Sequence, residues 1–379
     1  MRIVHLLAAG TAGTVAMTSL AACGGGVAKT TDAASNGKIA VVATDSECKV
    51  ARTAAGAGTV HFTVTNQGSK VTEFYVYAAG DRVMGEVENI APGVTRELLV
   101  ELGAGAYETT CKPGMVGKGL RVAFTVSGVA PSADNATELA AAGASYQRYV
   151  QGQTGALIDK TTEFVTAIKG GDAEKAKALY PVARTYWERI EPVAQVFGNL
   201  DPSTDGREDT VEAGQEFTGF HRLEKDLWQA KDISTSGPIA DRLLADVRLI
   251  VDKANTATMT PVQLANGAKE LLDEVATGKI TGEEDRYSHT DMWDFAANVE
   301  GSKAAVASLR PILERTDPTL VTTLDDRFAA VASALDKHRR GDGWQYHNEL
   351  SQDELKALAD AINALAEPVS KVAATVATR

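Results

Sequence analysis

Residues 217–228 read FTGFHRLEKDLW, and they set an imidazole and a carboxylate three positions apart in a stretch with helical character. At that spacing His221 and Glu224 share one helix face. A neutral imidazole nitrogen and a carboxylate oxygen can then close on one cation, as His and Glu pairs do in the metal sites of helical bundles. A surface ion pair or a capped core histidine would produce the same spacing, so the neighbours decide. Upstream, residues 186–192 (YWERIEP) carry Glu188 and Glu191, and the irregular stretch 198–212 carries Asp201, Asp205, Glu208, Asp209 and Glu212. Each alone reads as a solvated carboxylate; together they are a supply of hard oxygen donors beside one imidazole. Such a set suits Fe(II), Fe(III), Mn(II) or Zn(II), and the absence of cysteine from this half argues against a structural zinc or soft-metal site. A second acidic run, residues 282–295 (GEEDRYSHTDMWDF), leads into a helix that Ser288, Thr290 or Asp291 could cap.

Hydrolysis is the competing chemistry. A zinc peptidase helix offers His-Glu-x-x-His, two imidazoles one turn apart with a Glu between them as base. Here position 225 is Lys and no second imidazole follows. Capture and release suit a carboxylate-rich site better than turnover does. The N-terminal part holds another set of soft donors. A blue-copper loop needs Cys, His and Met at close spacing. Residues 107–115 (YETTCKPGM) keep Cys111 and Met115 but place Lys112 and Pro113 where His is wanted, and His61 sits alone in a strand. Two thiols in an oxidising compartment pair by default, and joining Cys48 to Cys111 would close a loop worth roughly 4 kcal/mol. Disulfide and ligand pair both remain open at this level.

The elements that must position these groups fall into two classes. Between residues 38 and 129, segments such as 59–65 (TVHFTVT), 73–77 (EFYVY), 95–102 (TRELLVEL) and 121–126 (RVAFTV) alternate with period two, separated by turns such as 66–68 (NQG) and 91–93 (APG). They predict a small β-sandwich. From residue 130 to 379 the apolar spacing becomes three and four, as in Val262, Ala265, Ala268, Leu271, Leu272 and Val275. Eight helical segments are predicted near 133–169, 172–198, 214–230, 236–255, 261–277, 289–315, 318–339 and 352–376, with a kink at Pro311. Eight amphipathic helices with short connections suggest two four-helix bundles. The longer irregular stretches, 198–212 and 278–288, are both acidic, and long loops in compact domains are more often functional than idle.

The ends and composition set the compartment. Arg2, an apolar stretch over residues 4–17 and the box LAAC at 20–23 have the form of a lipoprotein signal covering residues 1–22, with lipidation at Cys23. Residues 23–37 then form a flexible tether. Acyl chains contribute about 0.8 kcal/mol per buried methylene, so the chain would be anchored to a membrane, not spanning it. The formal net charge of −12, one unit more negative once Arg2 is removed, excludes nucleic acid as a natural partner and favours cations.

The stretches at 186–192, 205–209 (DGRED), 217–228 and 282–300 together resemble the imelysin-like domain of the EfeO periplasmic lipoproteins, the binding component of an EfeUOB iron-uptake system. The strands before them resemble the cupredoxin-like domain of the same family, and the resemblance covers about residues 38–379 in the same order. It implies a cupredoxin-like β-sandwich followed by an all-α imelysin-like domain that holds iron, with zinc able to substitute. The His-x-x-Glu pair, an upstream helix Glu and a loop Asp become His221, Glu224, Glu188 and Asp205. It also implies a second site of carboxylates and cysteines, with Cys48, Cys111, Glu73 and Glu86 as candidates and Glu88 and Met115 as lesser ones. Copper there could assist oxidation of Fe(II). The implied partners are an EfeU-like membrane permease and an EfeB-like haem peroxidase. A surface metallopeptidase or a cell-envelope polysaccharide-binding module on the same fold is the alternative.

Overall fold

The structure is a computed structural model and describes residues 37–130, 135–194, 200–211 and 214–377. The signal, Cys23 and the tether up to residue 36 lie outside the described residues, as do Pro131 and Glu212. Nine strands form the N-terminal part: β1 (Ile39–Ala43), β2 (Cys48–Val50), β3 (Ala54–Gly56), β4 (Gly58–Asn66), β5 (Thr72–Ala78), β6 (Arg82–Ile90), β7 (Thr95–Leu102), β8 (Gly105–Pro113) and β9 (Leu120–Ser127). One sheet has the order β2-β1-β4-β7 and the other β3-β9-β8-β5-β6. Period two is plain in β4, where Val60, Phe62 and Val64 are buried while His61, Thr63 and Thr65 are not. Phe62 packs from the first sheet against Phe74 and Phe124 of the second, with ring centroids 5.3 and 5.4 Å away. The Cys48–Cys111 disulfide joins β2 to β8 and so ties the two sheets together.

The helical part contains α1 (Ala136–Lys169), α2 (Ala173–Glu188), α3 (Glu191–Ala194), α4 (Leu200–Asp205), α5 (Gly219–Glu224), α6 (Gly237–Ala254), α7 (Pro261–Thr277), α8 (Asp291–Thr316), α9 (Pro318–Asp336), α10 (Gln352–Val369) and α11 (Val372–Ala377). Two four-helix groups emerge, α1, α2, α6 and α8, and α7, α8, α9 and α10. They share α8 and one continuous apolar core. The helix read as 172–198 stops at Glu188. Pro192 has no N–H to give the Glu188 carbonyl, and Asn298 of α8 donates to that carbonyl instead, at 3.2 Å. α8 continues through Pro311.

The sandwich meets the helical part at α7, which packs on β6 and β7. Asn266 Nδ2 donates to the Leu99 carbonyl at 2.7 Å. Around that bond Glu86 and Glu88 of the sandwich face Lys269, Glu270, Asp273 and Glu274 of α7 across a cavity of about 20 Å³.

Candidate metal centre

His221 and Glu224 lie on α5, a helix that begins at Gly219. There φ is +79°, and a Cβ would stand 2.2 Å from the Thr204 carbonyl oxygen. Only glycine permits both the turn and the close approach of α5 to the end of α4. α5 runs straight into a π-helical turn, Lys225–Ala230, a geometry that recurs at functional sites. Asp205 ends α4, Arg184 and Glu188 lie one turn apart on α2, and Glu284 and Asp285 come from the loop before α8.

The imidazole of His221 is 2% exposed. Its Nδ1 lies 3.1 Å from Glu224 Oε2. The other oxygen of Glu224 accepts from the Tyr287 N–H, the Ser288 N–H and the Ser288 hydroxyl at 2.9, 2.7 and 2.9 Å. Burial opposes ionisation of Glu224, but the His221 bond and the Ser288 donors outweigh it and hold its carboxyl below the usual range. A carboxylate so fully engaged fixes a proton on Nδ1 and leaves Nε2 as the free donor atom. Nε2 is buried and makes no hydrogen bond. Asp205 Oδ1 and Glu284 Oε1 each stand 3.5 Å from it. The second oxygen of Glu284 is held by Arg207 at 2.6 Å, and Trp187 Nε1 donates to Asp205 Oδ2 at 2.9 Å. Tyr180 donates to Asp285 Oδ1 at 2.8 Å, and Thr290 bonds the other Asp285 oxygen.

Among the described residues, two groups of three ligand atoms come within 4.8 Å of one another, Asp205–His221–Glu284 and His221–Glu224–Asp285. Both contain His221. The orphaned Nε2 and its two facing carboxylate oxygens are a hard, borderline donor set suited to a first-row divalent cation or Fe(III). Burial and the Arg184 charge work against a proton on His221, yet the Glu224 bond, the close Glu284 carboxylate and the Asp205 charge prevail and push it up to about 10. Burial raises Asp285 to about 6.

Glu188 is not brought into either group. One of its oxygens pairs with Arg184, while the other lies 2.5 Å from Lys279 Nζ and 2.9 Å from Asn298 Nδ2. Sequence reading did not single out Glu284, Asp285, Arg184 or Tyr180. The acidic run GEED at 282–285 was the available signal for the first two, but spacing along the chain does not show which carboxylates turn inward.

In the sandwich, Cys48 and Cys111 are bonded to each other, so neither offers a thiolate. Glu73 is buried 3.9 Å from Lys112 Nζ, and Glu88 accepts from the Tyr75 hydroxyl at 2.8 Å. Glu86 is 4% exposed and is raised well above the carboxylate range, chiefly by burial and next by the Glu88 charge. Met115 is exposed.

A two-layer sandwich followed by a helical domain with a His-and-carboxylate centre is the architecture of a cupredoxin-like domain joined to an imelysin domain. Residues 15–123 match the cupredoxin-like domain family, and residues 142–372 match imelysin, a family also labelled peptidase M75. The iron uptake system component EfeO of Escherichia coli O1:K1 is 40% identical over 339 residues, covering 88% of this chain and 90% of that protein. The EfeO proteins of E. coli K12 and Shigella flexneri are 39% identical over the same span. The chain belongs to the EfeO family of iron-uptake system components.

Proposed function

We propose that this chain captures iron at His221 and passes it to a membrane permease, by binding and not by turnover. The observation that carries the reading is the buried His221 Nε2 with no hydrogen bond and two carboxylate oxygens 3.5 Å away. His221, Asp205 and Glu284 are the ligands, and Glu224 orients the imidazole, with Asp285 beside it. Glu188 serves as the far partner of Arg184 and Lys279. The family supplies iron as the cargo, since these donors would also accept Mn(II) or Zn(II). No helix of the described residues is long and apolar enough to cross a membrane. A lipid anchor at Cys23 would hold the chain on the extracytoplasmic face, within reach of an EfeU-like permease and an EfeB-like haem peroxidase.

Anaerobic calorimetric titration of residues 27–379 with Fe(II), beside His221→Ala, tests the site. Tight binding that is lost in the variant is expected; binding indifferent to His221 overturns the assignment. Copper-assisted oxidation of Fe(II) in the sandwich, with dioxygen as the electron acceptor, would draw no thiolate from the oxidised cysteines, which leaves Glu73, Glu86 and Glu88 to hold a cation. Aerobic titrations with and without copper decide that step, and it is removed by Fe(III) formation that does not depend on copper.

A further inference from the structure

The guanidinium of Arg184, fully buried, lies against the same oxygen atoms that face His221. Nη1 donates to Asp205 Oδ1, Nη2 is 3.4 Å from Glu284 Oε1, and Nε is 3.4 Å from Asp285 Oδ1. Asp205 Oδ1 and Glu284 Oε1 are the two atoms 3.5 Å from His221 Nε2, and Asp285 Oδ1 is 3.8 Å from Nδ1. A metal cation on Nε2 and the guanidinium in this position would sit on the same oxygen atoms and repel each other at short range in a buried site. Arginine cannot lose its charge to relieve that repulsion, so loading favours a guanidinium that moves away from those oxygens.

The surroundings provide somewhere to go. Arg184 Nε and Nη2 already reach Asp294 Oδ2 at 3.3 and 3.1 Å, while Asp294 Oδ1 is buried with no partner. A small tilt of the guanidinium would convert that shared contact into a two-bond fork, with Glu188 still accepting from Nη2. We propose that Arg184 is a resident counter-cation exchanged for the cargo. It pairs with Asp205, Glu284 and Asp285 until iron takes them, then withdraws onto Asp294 and Glu188, and it returns when iron leaves. Unloading therefore never strands bare carboxylates in the interior, whose uncompensated burial would oppose release. The exchange trades hydrogen bonds of Arg184 for metal contacts and cleaves no bond between heavy atoms of the chain.

This inference rests on His221 as the capture site, and the test separates the two. Mn(II) binding is measured by electron paramagnetic resonance, and its dissociation rate by chelator competition, for the natural protein, Arg184→Met, Arg184→Lys and His221→Ala. Removing the charge should tighten Mn(II) binding about tenfold or more and slow dissociation, while Arg184→Lys, which keeps the charge, should stay within about threefold of the natural protein. Arg184→Met folded by circular dichroism but binding equally or more weakly overturns the exchange. Should that variant fail to fold, a crystal structure of the natural protein with Mn(II) decides. Arg184 still bonded to Asp205 and Glu284 overturns the proposal, and Arg184 seated on both oxygens of Asp294 supports it. Full Mn(II) binding by His221→Ala defeats the capture site itself, and the exchange with it.

Discussion

His221 and Glu224 form a donor atom and the group that aims it. With the imidazole pushed up to about 10 from its usual 6.5, His221 holds a proton at neutral pH that a cation bound to it would displace. Calorimetry of Fe(II) binding at pH 7 in buffers of different ionisation enthalpy should show net proton release, and heats that do not change with the buffer would contradict it. The same shift fixes a sign for stability. The protonated His221 contributes fully below about 6.5, and its contribution is lost as pH rises through about 10. Glu224→Gln keeps the shape of the side chain but replaces the oxygen that faces Nδ1 or one that faces Tyr287 and Ser288. Metal affinity should fall about 10- to 100-fold with the fold intact, as read by titration and circular dichroism. The meeting of His221 and Glu224 was legible from the sequence because three-residue spacing is a local property of a helix. Arg184 and Glu284 were not, because an Arg on α2 and a Glu in an acidic loop meet only through tertiary packing.

At the scale of elements, breaks in helices position the chemistry. Pro192 ends α2 at Glu188 and leaves its carbonyl to Asn298, while Gly219 lets α5 start against α4. Gly219→Ala would put a Cβ into the Thr204 carbonyl at a positive φ, and should cost roughly 3 kcal/mol in chemical denaturation, with iron affinity reduced because Asp205 and His221 lose their register. Unchanged stability would show that α4 and α5 can separate. The period-two strands and the three-and-four spacing gave the element types correctly, and Pro192 was in plain view. Its effect on the helix predicted for 172–198 was not anticipated, since proline is tolerated in a first helical turn and disruptive further in. The π-helical turn after Glu224 has no sequence signature comparable to a cap.

At the scale of the molecule, the two parts meet through carboxylates. Burial and the Glu73 charge raise Glu88 to about 7, and burial with other carboxylates, Glu88 among them, brings Glu274 to about 7 despite the Lys279 charge. Groups raised in the folded state stabilise it fully below their ordinary value of 4.5 and lose that contribution as pH climbs through about 7. Glu88→Gln keeps an acceptor for Tyr75 and removes the ionisable group. Its melting temperature should exceed that of the natural protein by roughly 2–5 °C at pH 8 and differ little at pH 5, by scanning calorimetry. An equal shift at both pH values would mean that Glu88 acts through packing alone. The order of a sandwich and a helical domain was readable from period and motif, but the contact between them was not, because Asn266 reaches a backbone carbonyl that no pattern in β7 marks.

The ion pairs of Lys279 give this contact a reach beyond its own area. Its ammonium lies 3.5 Å from Glu274 of α7, 3.2 Å from Glu191 and 2.5 Å from Glu188, which is also bonded to Arg184. One ammonium thus divides its charge between the helix that touches the sandwich and the carboxylate that holds Arg184. A cation bound at the sandwich face and iron bound at His221 would then both act on this one ammonium. Whatever factor a cation bound near Glu88 imposes on iron at His221, iron must impose on that cation in return. A transfer protein built this way would have its two ends in thermodynamic conversation, so that filling one changes the readiness of the other to let go.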